Sequence, residues 1–599
     1  MASSATFAFT RTSYTYRPLG GDSYIRILRI NPAPSDDRLS GTLTHKLLDD
    51  RPVYDALSYT WGAPDMSRTI IIDGHELSIT ANLDSALRRM RSRSGAEPTT
   101  IWADGICVNQ GDIRERNHQV RLMRRVYSEC RRCLIYLGEE ADGSEQLPLF
   151  IEKLVDSMVL IARSNDARQR FSIDLSLPKT EDDGWKVLAA FLRRPWFRRI
   201  WIIQEFCLPA DVRMICGSWE IPGAYLAGLV GTGIMELSGA LLDTLGEEGS
   251  KAMLAQKIHL WLRMCLGRDV GIRTLTAESI PTPTYEGIPR WLTLIWLLEN
   301  CRLCDATDPR DHFYALLGLA ADVGDSSLVA DYSKGLEEVE MEFGEFLIKS
   351  GFGVSLLYGA CEDHGRAGVL PSWLPNFCGV GQSSLSIWSN KLEEKLAAKI
   401  TFGWDARTLL LSGRRLDAIK VLGRARGGES WLDGWIQEVD LLVAQVDSYP
   451  SGVDTEEALW RTITTNRSVD GKTPAPEEYY DIYKRSRDTD LFERHYRNFF
   501  PYEALESFHE VFRFHHAVRT GRFCITNGGL FAMVPDYAQM DDVIFVIEGD
   551  PQRATFVIRR DRGPDREDFD YTWVGHAYVH DIWKVHNYGK LGWEDIVLR

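Results

Sequence analysis

A glutamate inside an apolar helical segment is the residue of this sequence best placed to do chemistry. Glu205 follows Trp201-Ile-Ile-Gln and precedes Phe206-Cys-Leu, in a stretch that is helical by its pattern. An ionised carboxylate in apolar surroundings costs free energy unless it opens onto a cleft or pairs with a cation. We therefore expect Glu205 either to serve as a catalytic carboxylate or to stabilise the fold by pairing with Arg198 or Arg199.

Polar and aromatic residues at the end of a predicted buried strand form a second candidate set. The strand spans residues 53–59, and the residues at its end are Ser58, Tyr59, Trp61 and Gly62. Ligands of open parallel sheets bind beyond the carboxyl ends of the strands. Gly62 permits close approach of the backbone to a ligand, and the Trp61 ring can stack on a base. The alternative is a loop packed on the core.

The loop after the next predicted strand, residues 100–103, supplies a third set. Its polar residues are Asp104, Asn109 and Gln110. In a parallel sheet they would lie at the same edge as the second set. Asp104 could orient the hydroxyl groups of a ligand or pair with Arg114 or Arg116. The alternative is a loop braced by its own hydrogen bonds.

The sequence lacks the motifs of several common enzyme classes and of zinc sites. The chain has no Walker phosphate loop, no Gly-x-Gly-x-x-Gly, no zinc-protease motif and no Gly-x-Ser-x-Gly, which weighs against kinases, dehydrogenases, metalloproteases and common hydrolases. The pairs Cys130/Cys133 and Cys301/Cys304 lack the neighbouring ligands of a zinc site, so we expect no metal and reduced, buried thiols among the 11 cysteines. Cys107 is likewise expected to be a small buried thiol.

Composition narrows the class of protein further. The chain has 599 residues, 44% hydrophobic and 26% charged, which allows several domains with substantial cores. Its formal charge of −16 argues against nucleic-acid binding, which needs a concentrated basic surface. We see no secretory signal and no apolar run of the ~20 residues that span a bilayer, so a cytoplasmic location is expected.

The predicted elements position the three candidate sets. Strands and helices alternate between residues 53 and 216, which favours an α/β fold with a parallel core. Asp73-Gly74 between β-branched runs predicts a hairpin. Asn82 and Asp112 are predicted helix N-caps, the latter in a capping box with Glu115. The predicted strands are 53–59, 100–103, 133–137 and 212–216, and the predicted helices are 83–91, 113–130, 149–162, 185–192 and 196–207.

Segments carrying the candidate residues resemble the heterokaryon-incompatibility (HET) domain of filamentous fungi. They are Tyr54-Asp-Ala-Leu-Ser-Tyr-Thr-Trp-Gly62, Ile101-Trp-Ala-Asp-Gly-Ile-Cys-Val-Asn-Gln110 with Glu115-Arg116 and Gln119, and Pro195-Trp-Phe-Arg-Arg-Ile-Trp-Ile-Ile-Gln-Glu205. Similar stretches often follow such domains, here Ala306–Asp311, Tyr314–Leu319 and Pro371–Pro375. Gly575–His580 resembles the tail of these proteins, although Asp581-Ile-Trp-Lys584 replaces the usual acidic ending.

The resemblance implies a role in non-self recognition after hyphal fusion, with activation leading to growth arrest or death. HET domains are remotely similar to Toll/interleukin-receptor (TIR) domains, and Trp201-x-x-x-Glu205 matches the TIR helix whose glutamate cleaves NAD. A carboxylate near the ribose can stabilise the oxocarbenium-like state of that reaction. Glu205 is then the expected catalytic residue, and Arg199 and Trp201 join the two polar sets around NAD, which is a substrate and not a cofactor.

The organisation expected on this basis has four parts. Residues 1–50 form a β extension packed on a TIR-like α/β HET domain at 51–218. Residues 219–420 are mostly helical, and 421–599 form an α+β region with a small sheet. An incompatibility partner or self-assembly is expected, because TIR-like sites are often completed by a neighbouring protomer. The rival interpretation is a non-enzymatic interaction module, and a weaker third is a regulatory protein without toxicity.

Overall fold

The computed structural model describes residues 12–163, 182–225, 284–360, 369–378, 400–424, 431–466, 473–484, 521–561, 570–585 and 592–599, apart from short gaps within these ranges. Residues 226–283 of the predicted helical middle and residues 485–520 of the predicted α+β region lie outside the described residues. Contacts divide the chain into two compact units, Met1–Thr282 with Leu303–Lys334, and Pro283–Arg302 with Gly335–Arg599.

A nine-stranded mixed sheet is the framework of the first unit. Its spatial order is β5-β4-β2-β1-β6-β3-β7-β8-β9. The strands are β1 Tyr24–Ile30, β2 Ser40–Leu47, β3 Asp55–Tyr59, β4 Arg68–Ile72, β5 His75–Ile79, β6 Thr99–Trp102, β7 Arg132–Tyr136, β8 Val212–Cys216 and β9 Trp219–Pro222. The predicted hairpin at Asp73-Gly74 is present, since both residues have positive φ between β4 and β5.

The parallel core of this sheet confirms the predicted α/β class. Strands β6, β3, β7 and β8 are mutually parallel, and in chain order their sequence across the sheet is 2-1-3-4. This is the order of doubly wound sheets such as flavodoxin, in which ligands bind at the carboxyl ends of the strands. All five residues of β3 are buried, as expected for the central strand of such a sheet.

The helices of the first unit cover the sheet and carry the site segments. They are α1 Ala81–Met90, α2 Asp104–Cys107, α3 Ile113–Glu129, α4 Leu147–Arg163, α5 Gly184–Leu192 and α6 Ile202–Cys207, with a further helix at Asp311–Leu317. The N-cap of α1 is Thr80, whose side chain accepts from the amide of Leu83, so the predicted cap at Asn82 is wrong. Asn82 is already helical, and its side chain donates to the carbonyl of Thr60.

The long helix predicted over residues 196–207 is interrupted. Pro195–Arg198 forms a 3₁₀ turn, Arg199 is extended, and α6 begins only at Ile202. The amide of Ile200 bonds to the carbonyl of Asp305, so a neighbouring segment satisfies backbone groups that a continuous helix would pair internally.

The N-terminal cap of α3 is confirmed, but its predicted reciprocal partner is not. Asp112 accepts hydrogen bonds from the amides of Arg114 and Glu115. The side chain of Glu115 turns away from Asp112 and forms a two-point ion pair with Arg26 on β1, at 2.5 and 2.8 Å. It also accepts from the amide of Asn109, and thus fixes the turn between α2 and α3.

The second unit has an eight-stranded, mostly antiparallel sheet. Its strands are β12 Ile400–Phe402, β13 Leu409–Leu422, β14 Gly521–Thr526, β15 Phe531–Pro535, β16 Val543–Ile547, β17 Thr555–Asp561, β18 Asp570–Val579 and β19 Glu594–Leu598, preceded by the small hairpin β10 Thr284–Tyr285 and β11 Ile288–Pro289. Because β13 pairs with both β14 and β16, six of the strands close into a ring. The predicted C-terminal sheet is confirmed and begins earlier in the chain than expected.

Helices of the second unit include part of the predicted helical middle. They are Leu294–Cys301, Leu336–Lys349, Gly353–Gly359, Trp431–Val443, Thr455–Ile463 and Ile582–Val585. Across the part of the chain that the structure describes, none of the helices has both the length and the apolar character needed to cross a bilayer.

Candidate functional site

The side chain of Glu205 is buried and occupied on two sides. Every residue of α6 is buried, and 4% of the Glu205 side chain is exposed. Its Oε2 accepts a short hydrogen bond from the hydroxyl of Ser58 at the end of β3. Nη1 of Arg199 lies 3.7 Å from the same oxygen. The structure therefore contains the ion pair that the sequence offered as the alternative to catalysis, with Arg199 as the partner, whereas Arg198 pairs with Asp305.

The hydroxyl of Ser58 is fixed by a residue that the sequence analysis did not place in the site. The indole Nε1 of Trp196 donates to Oγ of Ser58 at 2.7 Å. That hydroxyl therefore donates to Glu205 and accepts from Trp196. Trp196 is fully buried and packs edge-on against Phe197 and Phe206. A Trp directly after Pro195 in the third segment was the available signal, because a buried indole N–H needs an acceptor.

Arg199 links the third segment to the first. Its Nη1 donates to the carbonyl of Tyr59 at 2.5 Å, at the carboxyl end of β3. Burial disfavours the charged guanidinium, but the carboxylates of Glu205 and Asp104 outweigh this effect and raise the pKa of Arg199. Its side chain is 20% exposed, so this cation is one of the groups of the cluster that contact solvent.

Asp104 is the second acid of the cluster. Its carboxylate accepts from Nε1 of Trp61 at 2.8 Å, from the amide of Gly105 at 2.8 Å, and from the hydroxyl of Tyr59. Gly105 allows this close approach, since a Cβ there would lie 2.5 Å from the Tyr59 hydroxyl oxygen. The site thus joins the ends of β3 and β6, as the sequence predicted. The Asp104 carboxylate thus bonds to Trp61, Gly105 and Tyr59, and not to Arg114 or Arg116 as the sequence also allowed.

The cluster contains more acid than base. Burial raises the pKa of Glu205, although Arg199 and Ser58 act in the opposite direction and Asp104 adds to the increase. Burial likewise raises the pKa of Asp104 against the opposing effects of Arg199 and Trp61. Two carboxyl groups therefore share one guanidinium, and each of them binds a proton more readily than an isolated carboxyl group in water does.

Other predicted site residues brace loops. Gln110 donates from Nε2 to the backbone carbonyl of Asp104 at 2.9 Å, and Oδ1 of Asn109 accepts from the amide of Gly111. Trp201 hydrogen-bonds with Asp311, away from Glu205. The structure therefore brings together Ser58, Tyr59, Trp61, Asp104, Arg199 and Glu205, with Gly62 at the exposed rim, and gives Asn109, Gln110 and Trp201 supporting contacts.

In this geometry the Glu205 carboxylate contacts Ser58 and Arg199 and is almost completely shielded from solvent. A carboxylate that stabilises a ribosyl cation must contact the sugar. In this structure Oε2 of Glu205 is instead held by two side chains of the same domain, Ser58 and Arg199. The exposed part of the site consists of Gly62 and the partly exposed Trp61, Asp104, Gln110 and Arg199. A ligand could reach this rim, but Glu205 would need to lose Arg199 or Ser58 before touching it.

The raised pKa of Glu205 predicts a specific dependence of stability on pH. The native state retains this proton at pH values where the unfolded chain, with an ordinary pKa of 4.5, has lost it. Stability therefore falls as pH rises from about 4.5 through the raised value. Glu205→Gln removes this loss, so the melting temperature of the variant should gain on that of the parent as pH increases. If the melting temperatures of the variant and the parent differed by the same amount at every pH between 4 and 8, the assigned increase in the pKa of Glu205 would be wrong.

Gly62 predicts a second measurable effect at the rim. Its φ is +76°, and a Cβ would lie 2.7 Å from Nδ2 of Asn82, which holds the carbonyl of Thr60. Gly74 has a φ of +88° and open space around it, and so serves as the matched control. Gly74→Ala should cost about 1 kcal/mol for the left-handed backbone alone. Gly62→Ala should cost about 1 kcal/mol more through the displaced hydrogen bond, measured by urea unfolding. Equal losses of unfolding free energy in the two variants would show that the Asn82 side chain moves aside without cost.

A known protein family matches the region of the chain that contains the three segments of this site. Residues 54–205 match the family described as heterokaryon incompatibility protein (HET). The chain is 24% identical to "Heterokaryon incompatibility protein 6, OR allele" of Neurospora crassa, in an alignment that covers 94% of each protein. No solved structure matches the chain. The matched region begins next to β3 and ends at Glu205, so it contains all of the buried cluster. Residues 54–205 of this chain therefore form a HET domain, and nearly the whole chain is similar to a fungal heterokaryon incompatibility protein.

Proposed function

We propose that this chain acts in heterokaryon incompatibility, the recognition of non-self after fusion of fungal cells. The support is similarity along nearly the whole length of a protein named for that process, together with the HET domain. The proposal predicts that raised expression in a suitable fungal host arrests growth or kills cells. Normal growth of that host, with the protein present at high level, would overturn it and favour a regulatory role without toxicity.

The function best supported by the geometry of the HET domain is that of an interaction module. The observation that carries it is the 4% exposure of Glu205, whose carboxylate is held by Ser58 and Arg199. In this state the cluster ties the three family segments together and fixes the shape of the rim. Partners, whether another incompatibility protein or further copies of this chain, would contact that rim.

Cleavage of NAD is the second candidate, favoured by the position of the cluster at the carboxyl ends of β3 and β6. Assembly would have to draw Arg199 away and admit the nucleotide. Glu205 would then stabilise the positive charge on the ribose while nicotinamide leaves as a neutral group. Water adds to the anomeric carbon and loses a proton, which gives ADP-ribose. Ser58, Tyr59 and Asp104 would shape the pocket.

One experiment separates these two mechanisms. The full-length protein, at concentrations that permit assembly, is incubated with NAD, and free nicotinamide is measured by chromatography. Glu205→Gln keeps the size of the side chain and removes its charge. Glu145→Gln, at an exposed acid of the same domain, is the matched control.

The outcomes are distinct. Nicotinamide release that persists in Glu145→Gln and disappears in Glu205→Gln, together with loss of toxicity, establishes NAD cleavage and overturns the interaction module as the effector mechanism. Toxicity that persists in a folded Glu205→Gln protein without nicotinamide release excludes cleavage as its cause. Circular dichroism of each variant checks that the fold is intact.

A further inference from the structure

A cleft in the second unit has the chemistry of an anion site, and we propose that it binds a small phosphorylated molecule. The cleft has a volume of about 270 Å³. Its walls come from the turn after Thr455–Ile463, the start of β17, the end of β18 and the short helix Ile582–Val585. This volume is just below the usual range for ligand pockets, so the occupant should be no larger than a mononucleotide. The site is independent of the function proposed for the HET domain.

Arg553 supplies the charge that selects an anion. It lines the cleft, and its guanidinium carbon lies 5.8 Å from the centre of the Trp583 ring. Among the residues that the structure describes, no carboxylate forms an ion pair with this guanidinium. Arg553 also stands in the left-handed region with a φ of 48°, a conformation that costs a side-chain-bearing residue about 1 kcal/mol. The planar fork of an arginine matches two oxygens of a phosphate group.

The acid in the cleft wall does not cancel this charge. Asp581 is nearly buried, and its carboxylate accepts from the hydroxyl of Ser451 at 2.7 Å and lies 2.9 Å from Nζ of Lys584. His580 lies 3.6 Å from the same carboxylate. With Asp581 balanced by Lys584 at the rim, the charge of Arg553 is left for a ligand.

Other polar groups and an aromatic ring complete the recognition surface. Asn466 and His576 both line the cleft and carry polar nitrogens. Oδ1 of Asn466 is occupied by Arg461 and by the amide of Ala475, which leaves the amide nitrogen as its contribution to a ligand. Trp583 is 39% exposed and offers a flat face to a sugar or base. A phosphate next to Arg553 with an attached ring over Trp583 uses both features.

Isothermal titration of the full-length protein tests the site. The probes are inorganic phosphate, ribose 5-phosphate, AMP and, as the uncharged comparison, adenosine. We expect binding of at least one phosphate-bearing probe, and the order of their affinities identifies whether the ring contributes. Adenosine should bind at least tenfold more weakly than AMP if AMP is the ligand.

Two arginine variants localise the binding. Arg553→Gln should weaken it at least tenfold, whereas Arg424→Gln, at an arginine that is 89% exposed in the same unit, should change it less than twofold. The equal melting temperatures expected of the two variants show that the fold is preserved. The proposal is overturned if no phosphate-bearing probe binds at millimolar concentration, or if both variants bind like the parent protein.

Discussion

Replacing Arg26 with Met should destabilise the first unit by about 3–5 kcal/mol, the largest loss that we expect from a single ion pair. Arg26 is completely buried, and both oxygens of Glu115 accept from it. It also donates to the carbonyls of Cys107 and Arg17. Met fills most of the space but leaves Glu115 as a nearly buried carboxylate without its cation. Urea unfolding of the full-length chain, with hydrogen exchange of β1 and α3, measures the loss.

A matched variant and a rescue test the assigned cause. Arg125→Met, on the same helix as Glu115, removes pairs with Asp49 and Glu129 from a side chain that is 34% exposed, and should cost less than about 1 kcal/mol. Adding Glu115→Leu to Arg26→Met should recover a large part of the loss, because no buried charge is left unpaired. Failure of the double variant to recover stability would show that packing, and not charge, carries the contribution of Arg26.

Truncating Trp196 to Ala should cost about 3–5 kcal/mol and loosen the site. The ring is fully buried against Phe197 and Phe206. Its removal leaves a large cavity and deprives Ser58 of the donor that orients its hydroxyl toward Glu205. Thermal unfolding measures the stability, and hydrogen exchange in residues 55–60 and 202–207 shows whether the damage is centred on the cluster.

Trp196→Phe separates packing from hydrogen bonding. Phe keeps most of the apolar contact and lacks the indole N–H, so the expected loss is about 1–2 kcal/mol. If Trp196→Phe were as damaging as Trp196→Ala, the hydrogen bond to Ser58 would be the dominant contribution of this residue. If it were neutral, the orientation of Ser58 would depend on Glu205 alone.

Part of the candidate site could be located from the sequence because two of its three segments follow predicted strands. The carboxyl ends of parallel strands lie at one edge of a sheet, so strands 53–59 and 100–103 placed Tyr59 and Asp104 at the same edge, and the structure shows that these strands are neighbours. Glycine and proline identified the turns, as at Asp73-Gly74. Asp112 was found as a helix cap because its effect depends only on residues one turn away.

Contacts between residues distant in sequence were decided only by the tertiary structure. Whether Glu205 faces a ligand or an ion-pair partner depends on where α6 lies against β3, and local pattern holds no information about that placement. The helix breaks before Ile202 because Arg199 and Ile200 pair with the distant residue Asp305. Trp201 likewise hydrogen-bonds to a residue distant in sequence, Asp311.

The sequence by itself therefore determined the α/β class, the family of the HET domain and the sheet edge at which its polar residues gather. These features depend on periodicity and on turn residues, both of which involve residues close to one another in sequence. The tertiary structure alone decided that Ser58 and Arg199 occupy Glu205, that Glu115 pairs with Arg26, and that β13 closes a ring with β16. Each of these depends on free energies of burial and pairing that arise only when distant segments are packed together.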